Sequence, residues 1–250
     1  MRLELKGAVA RLDGRIVLDG VDLGLRAGEA VALCGPNGAG KSSAIRAALG
    51  LLPLNAGQAR LGGEDIIGLS ERVRAERAAY LPQERRIAWN MAAIEVAALG
   101  APFLGGADSL ARARAALDEM GAGGLADRGV ADMSGGERTR VLLARAMVSE
   151  APVLLADEPI AGLDPDAQFL VLDRLKARTR SGQAVLVSLH DLTLAARWAD
   201  RIVVLQAGRV VADAAPLDAL SSDVLRDVFG VSGRWIETPS GPLLDATRIG

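Results

Sequence analysis

The sequence predicts an α/β fold, in which an N-terminal antiparallel β part and a helical insertion accompany a parallel core. An apolar run at residues 30–33 precedes a glycine-rich loop and a helix predicted over residues 43–52. Two further apolar runs, at residues 153–156 and 185–189, flank a helix predicted over residues 166–180. Continuous apolar strands that alternate with helices are typical of a parallel sheet buried on both faces.

The composition allows a large buried core and excludes some classes of protein. The chain has 250 residues, 50% of them hydrophobic, and a formal net charge of −2. Because no long basic run occurs, we expect no nucleic-acid partner. The single cysteine, Cys34, excludes an internal disulfide and fits a reducing compartment. Its place beside the glycine-rich loop favours a small buried residue over a nucleophile.

The N-terminal segment gives no sign of export or of membrane insertion. Residues 1–6 alternate charged residues with leucines, which is unlike the apolar core of a signal peptide. Nowhere do about 18 uncharged apolar residues occur together, as a spanning helix would require. We therefore expect any membrane role to depend on a partner protein.

The N-terminal region predicts short strands ahead of the glycine-rich loop. Apolar and polar positions alternate within residues 2–33, with breaks predicted at Asp13-Gly14, at Asp19-Gly20 and at residues 27–29. This pattern indicates a small antiparallel sheet. Pro53 is expected to end the helix that follows the loop.

The middle of the chain changes from strands to helices. A short strand pair is predicted within residues 56–68, and a charged helix over residues 72–79. Residues 86–150 show helical patterning without β-branched runs, interrupted at glycines near residues 105–106 and 121–124. We therefore predict a helical insertion over residues 86–150.

The C-terminal region predicts a hairpin over residues 202–213, then two short helices from about Pro216 and a tail over residues 236–250. We expect one domain over residues 1–250. Its predicted parts are a β part and core at residues 1–85 and 151–215, a helical part at residues 86–150, and C-terminal helices with a tail at residues 216–250.

The glycine-rich loop fits the phosphate-binding pattern G-x-x-x-x-G-K-[ST]. Its residues are Gly35, Pro36, Asn37, Gly38, Ala39, Gly40, Lys41, Ser42 and Ser43. The glycines allow backbone N–H groups to converge on phosphates, and the following helix adds the positive end of its dipole. Lys41 supplies a positive charge, and the Ser42 hydroxyl can bind Mg²⁺. A chance match to a glycine-rich turn is disfavoured by the flanking strand and helix.

Five further motifs follow this loop. They are Gln83, Ser134-Gly135-Gly136-Glu137, Asp157-Glu158 at the end of an apolar strand, Gly162-Leu163-Asp164, and His190. In a nucleotide site, Mg²⁺ needs a carboxylate and the attacking water needs a base. In their order and spacing, the six motifs resemble the ATP-binding cassette (ABC) ATPases over nearly the whole chain. The resemblance implies a P-loop NTPase (RecA-like) core that binds ATP and Mg²⁺.

The resemblance also implies roles for individual residues. Asp157 would hold Mg²⁺ through water, together with Ser42 and Gln83. Glu158 would act as the general base, and His190 would contact the γ-phosphate. Gln83 would in addition sense a membrane partner.

The Ser134-Gly135-Gly136-Glu137 motif implies a second copy of the chain. Ser134 with Glu137 predicts a capping box at a helix that continues to about Ser149. A capped helix N-terminus attracts anions, yet the chain already has one phosphate loop. The resemblance implies that this second site binds the partner's ATP in a head-to-tail dimer, with Asp164 linking the two sites. An ordinary capping box is the alternative.

Leu12 departs from the pattern of many relatives, which stack an aromatic ring on adenine at about this position. Without that stacking, we expect weaker base selectivity, including tolerance of GTP. Smaller departures are Met133 for Leu, Glu137 for Gln, and Ile160-Ala161 for a pair that contains Thr.

A separate cassette without fused membrane spans suits an importer. Two stretches of the chain resemble the importers of iron–siderophore, haem and cobalamin. The first runs from Tyr80-Leu81-Pro82-Gln83 through Ile87-Ala88-Trp89 to residues 96–100, and the second is residues 227–231. The implied partners are polytopic permease subunits and, indirectly, a periplasmic or surface substrate-binding protein. The implied location is the cytoplasmic face of the inner membrane. Asn90 stands where relatives often carry Pro, and Trp89 has either a packing or a partner-facing role.

Two alternatives stay open at this point. The chain could be a stand-alone ABC ATPase with a regulatory or assembly role, or it could serve a transporter of another substrate. A P-loop kinase is disfavoured, because the Ser134 motif has no place in it and no acceptor lid is evident. The cargo does not contact this chain in the implied arrangement, so no residue identifies the cargo.

Overall fold

The computed structural model describes residues 1–84 and 90–249. The chain divides into two compact units: one comprises Met1–Gly68 and the segment from Leu186 onward, and the other comprises Leu69–Val185. The predicted α/β class is confirmed, since helices alternate with strands that include parallel pairs. The predicted boundaries at residues 85, 150 and 215 remain predictions.

The described elements follow the predicted order closely. The strands are β1 (Leu3–Leu12), β2 (Arg15–Leu25), β3 (Ala30–Cys34), β4 (Ala56–Leu61), β5 (Glu64–Asp65), β6 (Ala78–Leu81), β7 (Val153–Ala156), β8 (Ala184–Ser188), β9 (Arg201–Gln206), β10 (Arg209–Ala214), β11 (Val231–Thr238) and β12 (Gly241–Arg248). The α-helices are α1 (Lys41–Ala48), α2 (Glu71–Arg77), α3 (Ala93–Ala98), α4 (Gly106–Glu119), α5 (Gly135–Val148), α6 (Pro165–Arg180), α7 (Leu192–Trp198), α8 (Pro216–Ala219) and α9 (Ser222–Asp227).

The first unit contains the predicted antiparallel sheet, with strand order β2-β1-β4-β5. The break predicted at Asp19-Gly20 is wrong, because β2 continues through both residues. The register passes from Ala8 opposite Val21 to Ala10 opposite Leu18, and Gly20 has a φ of +72°. An extra residue in one strand with a glycine at positive φ is a bulge, which bends a strand without ending it.

The parallel strands of the first unit support the glycine-rich loop. β3 pairs with β9 in parallel, from Val31 opposite Arg201 to Cys34 opposite Val204, and every residue of β3 is buried. The predicted hairpin is confirmed as β9 and β10, which turn at Ala207-Gly208. Burial on both faces explains why β3 is a continuous apolar run.

The helix after the loop is shorter than predicted. It covers Lys41–Ala48 instead of residues 43–52, so it begins at the loop lysine and ends well before Pro53. Gly50 has a φ of +69°, and Leu51 N donates to Arg46 O at 2.8 Å. Glycine in a left-handed conformation closes a helix with such a backbone bond, so Gly50 is the terminator here.

The C-terminal segment differs from the prediction. The two short helices are confirmed as α8 and α9, but the predicted tail forms the antiparallel hairpin β11–β12. Trp235 Nε1 donates to Leu220 O at 3.0 Å, and Arg197 Nε donates to Pro242 O at 2.7 Å. These contacts with α7 and with the end of α8 stabilise a hairpin that has too few apolar positions to be predicted from its pattern.

The second unit contains the parallel pair β6–β7 and the helices α2 to α6. The predicted helix over residues 72–79 ends at Arg77, and Ala78 and Ala79 belong to β6. The chain passes from this unit into the first within β8, all of whose residues are buried. Within residues 1–84 and 90–249, no helix combines the length and the apolar character that crossing a membrane would need.

Candidate nucleotide-binding site

The glycine-rich loop is shaped by glycines that no other residue can replace without a clash. Gly35 has a φ of +146°, and a Cβ there would lie 2.2 Å from Leu205 O. Gly40 has a φ of +103°, and a Cβ there would lie 2.6 Å from Val17 O. The backbone of β9 and that of β2 therefore lie directly against the loop, which is why glycine occupies these positions.

Lys41 is nearly buried within this loop, with 6% of its surface exposed. Its Nζ donates to Gly35 O at 2.8 Å and to Pro36 O at 3.1 Å. Lys41 is also the first residue of α1, whose first turn contains no acidic residue. The ammonium group, the helix N-terminus and the loop N–H groups thus provide positive potential at one place, which suits a polyphosphate.

The loop is further fixed by its neighbours in the first unit. Gly208 N donates to Ala39 O at 2.9 Å, and Asp19 N donates to Gly208 O at 2.8 Å. Leu189 N donates to Leu33 O at 3.2 Å, so His190 follows β8 next to the end of β3. The structure therefore brings His190, which is exposed, to the strand that leads into the phosphate loop.

Cys34 is fully buried and has the properties of a packing residue, as predicted. Burial raises the pKa of the Cys34 thiol to about 12, and the positive charge of Lys41 opposes this only in part. Burial and the raised pKa both favour the protonated thiol of a packing residue at neutral pH.

Leu12 and Ile16 are two exposed aliphatic residues at the turn end of the β1–β2 hairpin. Leu12 is 44% exposed and Ile16 is 48% exposed. The residue after Ile16, Val17, is the one whose carbonyl lies against the loop at Gly40.

The second unit brings Gln83 and the two strand-end carboxylates to one edge. Asp157 N donates to Leu81 O at 2.9 Å, which places Asp157 beside the end of β6, two residues before Gln83. Asp157 is 1% exposed, whereas Gln83 is exposed. This edge is the carboxyl end of parallel strands, where ligands of α/β proteins bind.

Glu158 adopts a backbone conformation that the sequence did not reveal. Its φ is +49°, in the left-handed region that residues other than Gly, Asn and Asp rarely occupy. Ala161 N donates to Glu158 O at 3.2 Å and thereby closes the turn after β7. Such strained residues are concentrated at active sites, which makes Glu158 a candidate catalytic residue.

The capping box at α5 is confirmed. Ser134 Oγ accepts from Glu137 N at 3.2 Å, and Glu137 Oε2 accepts from Ser134 N at 2.8 Å. Glu137 Oε1 also accepts from Arg128 Nη1 at 3.2 Å. The hydrogen bonds from Ser134, supported by the charge of Arg128, lower the pKa of Glu137. The carboxylate thus stays ionised and has a neighbouring counter-charge.

Asp164 begins α6 as its cap, since its Oδ1 accepts from Ala167 N at 2.9 Å. A Cβ on Gly136 would lie 3.4 Å from Leu163 Cδ2, so the loop before α6 lies beside the start of α5. The second unit therefore brings Asp164 close to the Ser134 motif. The roles expected for these residues at a nucleotide remain predictions.

The candidate residues are thus distributed over the two units. The first unit holds the phosphate loop, Leu12 and His190, and the second holds Gln83, Asp157, Glu158, Asp164 and the Ser134 motif. Trp89, with Ile87 and Ala88, lies outside the described residues. A strand, a glycine loop that encloses a lysine, and a helix define a P-loop nucleotide-binding protein.

Comparison with known proteins identifies the family to which this chain belongs. Residues 18–161 match the ABC transporter family. A hemin import ATP-binding protein of Streptomyces coelicolor is 43% identical over 228 residues, covering 89% of this chain and 81% of that protein. A cobalamin import ATP-binding protein of Halobacterium salinarum is 38% identical over 234 residues, covering 92% of this chain and 59% of that protein.

One solved structure is a dimeric ATP-binding cassette in a post-hydrolysis state with ADP and phosphate. It is 25% identical to this chain with a TM-score of 0.79, and the match covers 86% of this chain and 99% of that one. The chain therefore belongs to the ABC transporter family. The predicted P-loop fold and the predicted class of ATPase are thereby confirmed.

Proposed function

We propose that this chain is the ATP-hydrolysing subunit of a membrane importer that takes up a metal chelate, with haem as the first candidate and iron–siderophore or cobalamin as the others. The observation that carries the proposal is the 43% identity with a hemin import ATP-binding protein along most of both chains. The complete phosphate loop around Lys41 supports ATP as the nucleotide.

ATP binding begins at the phosphate loop, residues 35–43. Lys41 and the loop N–H groups bind the phosphates, because the ammonium group is already held in place by Gly35 O and Pro36 O and glycine-rich loops ahead of a helix offer N–H donors to anions. The exposed aliphatic surface of Leu12 contacts the base. An aliphatic contact lacks the stacking of an aromatic ring, so we expect weak discrimination between adenine and guanine.

The oxygen donors available to a metal fit Mg²⁺. Ser42, Gln83 and Asp157 offer a hydroxyl, an amide oxygen and a carboxylate, which are the hard ligands that Mg²⁺ prefers. Among the described residues, no group of three or more His, Cys, Asp or Glu side chains could hold a metal by itself. Mg²⁺ bound by Ser42, Gln83 and Asp157 would neutralise phosphate charge.

Hydrolysis uses Glu158 as the general base, His190 as a γ-phosphate contact and Gln83 as the residue that responds to the membrane partner. Glu158 accepts a proton from the attacking water, and its left-handed backbone conformation is of the kind found at active sites. Catalysis of phosphoryl transfer consists mostly of positioning and electrostatic stabilisation, for which these side chains suffice.

A second copy of the chain completes the site. The N-terminus of α5, with Ser134, Gly135, Gly136 and Glu137, binds the ATP held by the partner copy. Asp164, beside that motif, links the two nucleotides across the dimer interface. ATP binding therefore closes the dimer, and hydrolysis opens it again.

Closure of the dimer acts on polytopic permease subunits, and these receive cargo from a periplasmic or surface substrate-binding protein. The chain is thus peripheral, on the cytoplasmic face of the inner membrane.

The test is to purify the tagged chain from native membranes in mild detergent and to reconstitute it with the membrane subunits that co-purify. Haem supplied with its binding protein should stimulate ATP hydrolysis, and cobalamin should not.

The Glu158→Gln variant provides the control, because it should assemble in the same way without hydrolysis. Purification of a soluble, active ATPase without membrane subunits would instead support the regulatory or assembly function. Stimulation by cobalamin or by an iron–siderophore alone would replace haem as the cargo and leave the importer assignment intact.

A further inference from the structure

Asn90 is bound to the loop that leads into α5. Its Oδ1 accepts a hydrogen bond from Ala131 N at 3.0 Å, and its Nδ2 donates to Asp132 Oδ2 at 3.2 Å. The backbone adds a contact beside it, since Val130 N donates to Met91 O at 2.9 Å. Both polar ends of the Asn90 side chain are therefore used to hold a segment about 40 residues later in the chain.

A side chain at Gly129 would displace the Asn90 amide from its place against this loop. A Cβ on Gly129 would lie 2.3 Å from Asn90 Oδ1 and 2.7 Å from Asn90 Cγ. The backbone of Gly129, with φ −65° and ψ 133°, is one that any residue adopts. The backbone would thus accept a side chain at this position, and the contact with Asn90 is what that side chain would disturb.

The loop held by Asn90 continues directly into the Ser134 motif. On its other side, Arg138 of α5 donates to Val130 O at 3.2 Å and to Met133 O at 3.3 Å. Ser134 N then donates to Glu137 Oε2 at 2.8 Å. The loop before Ser134 is therefore held by two separate side chains, those of Asn90 and of Arg138 in α5.

We propose that Asn90 is a positioning residue for the Ser134 motif: seated over Gly129, it holds residues 129–133 so that the start of α5 is correctly placed for the partner's nucleotide. This inference rests on the proposed function, in which that motif binds the ATP of the second copy. Asn90 acts through the loop and does not contact the nucleotide. It therefore affects turnover and dimer closure, while binding of ATP to the phosphate loop of the same chain is independent of it.

The test uses the full chain with Asn90→Ala, Gly129→Ala and the double variant. Removal of two hydrogen bonds at Asn90 should lower kcat on the order of tenfold. Gly129→Ala should cause a similar loss, since its Cβ displaces the Asn90 side chain from the same bonds. The double variant should lose no more than either single variant, because alanine at residue 90 makes room for the new Cβ.

Two further measurements separate positioning from a general loss of structure. Binding of a fluorescent ATP analogue should stay within twofold of wild type, and hydrogen exchange should increase at residues 131–134. Gly124→Ala is the matched control, since a Cβ on Gly124 meets nothing within 4 Å, and it should retain the wild-type kcat. A wild-type kcat in Asn90→Ala, losses that multiply in the double variant, or a parallel loss of nucleotide binding would each overturn the proposal.

Failure of the proposed function has a different signature. In that case, hydrolysis per wild-type chain would not rise with protein concentration, and no ATP-dependent dimer would form. This result would overturn both inferences. Concentration-dependent hydrolysis with an unaffected Asn90→Ala variant would overturn the positioning role alone.

Discussion

Alanine at Gly40 should remove most nucleotide binding, whereas alanine at Gly38 should weaken binding only slightly. Both glycines belong to the phosphate loop and both have positive φ, +103° at Gly40 and +78° at Gly38. They differ in the space around them, because a Cβ on Gly40 would lie 2.6 Å from Val17 O, and a Cβ on Gly38 meets nothing within 4 Å. The pair therefore separates the effect of backbone strain from that of steric exclusion.

The expected magnitudes follow from these contacts. At Gly38, alanine bears only the cost of a left-handed conformation, about 1 kcal/mol, which corresponds to roughly fivefold weaker binding. At Gly40, a backbone carbonyl of β2 blocks the Cβ, so the loop must move away from β2. We expect a cost of about 3 kcal/mol or more, and hence a loss of affinity greater than roughly a hundredfold.

The assay is titration of each variant with a fluorescent ATP analogue, with the melting temperature measured in parallel to detect unfolding. If the two variants lost the same affinity, the contact between the loop and Val17 would have no consequence, and the reasoning from steric exclusion would be refuted. Full binding in Gly40→Ala would refute it as well, since the loop would then tolerate a side chain beside β2.

Three other predictions concern ATP binding and hydrolysis, the choice between adenine and guanine, and the pH dependence of stability. Lys41→Ala should weaken ATP binding at least tenfold, because it removes the positive charge at the phosphates. Glu158→Gln should retain ATP binding and lose turnover. Steady-state hydrolysis at the wild-type rate in Glu158→Gln would exclude Glu158 as the general base. Leu12→Tyr should raise the preference for ATP over GTP by about fivefold in a competition assay, because an aromatic ring adds stacking worth on the order of 1 kcal/mol. A strong preference of the wild-type protein for ATP would contradict this prediction. Glu29→Gln should lower the free energy of unfolding at pH 7 by about 1–2 kcal/mol, and urea titrations should show this difference shrinking as the pH falls below the ordinary value of 4.5.

The sign of the pH effect follows from the environment of Glu29. Burial by itself would raise the pKa of Glu29, but hydrogen bonds from Arg201 Nε at 2.7 Å and from Arg26 N at 2.9 Å outweigh it, so the pKa is lowered. A carboxylate with a lowered pKa stabilises the folded state above its unfolded pKa, and the contribution is lost as the pH falls through the folded pKa. A constant difference between the variant and the wild type from pH 7 to pH 3 would exclude this account.

Much of the fold could be predicted because its signals are local. The strand, glycine loop and helix around Lys41 are contiguous, and the capping box needs only Ser134 and Glu137, three residues apart. β7 and β8 were recognisable since strands buried on both faces must be apolar throughout. Predictions failed at elements with weaker patterns, namely the β11–β12 hairpin and the end of α1 at Gly50.

The sequence by itself determined the family, the phosphate loop and the identity of the candidate catalytic residues, because each depends on residue types at fixed short spacings. Only the tertiary structure decided why particular glycines are required and which residues support the site. The carbonyl of Leu205 beside Gly35, the side chain of Asn90 above Gly129, and the left-handed backbone of Glu158 illustrate this. The first two examples are contacts between residues far apart in the chain, and the third is a backbone angle set by its surroundings. No local sequence pattern contains any of the three.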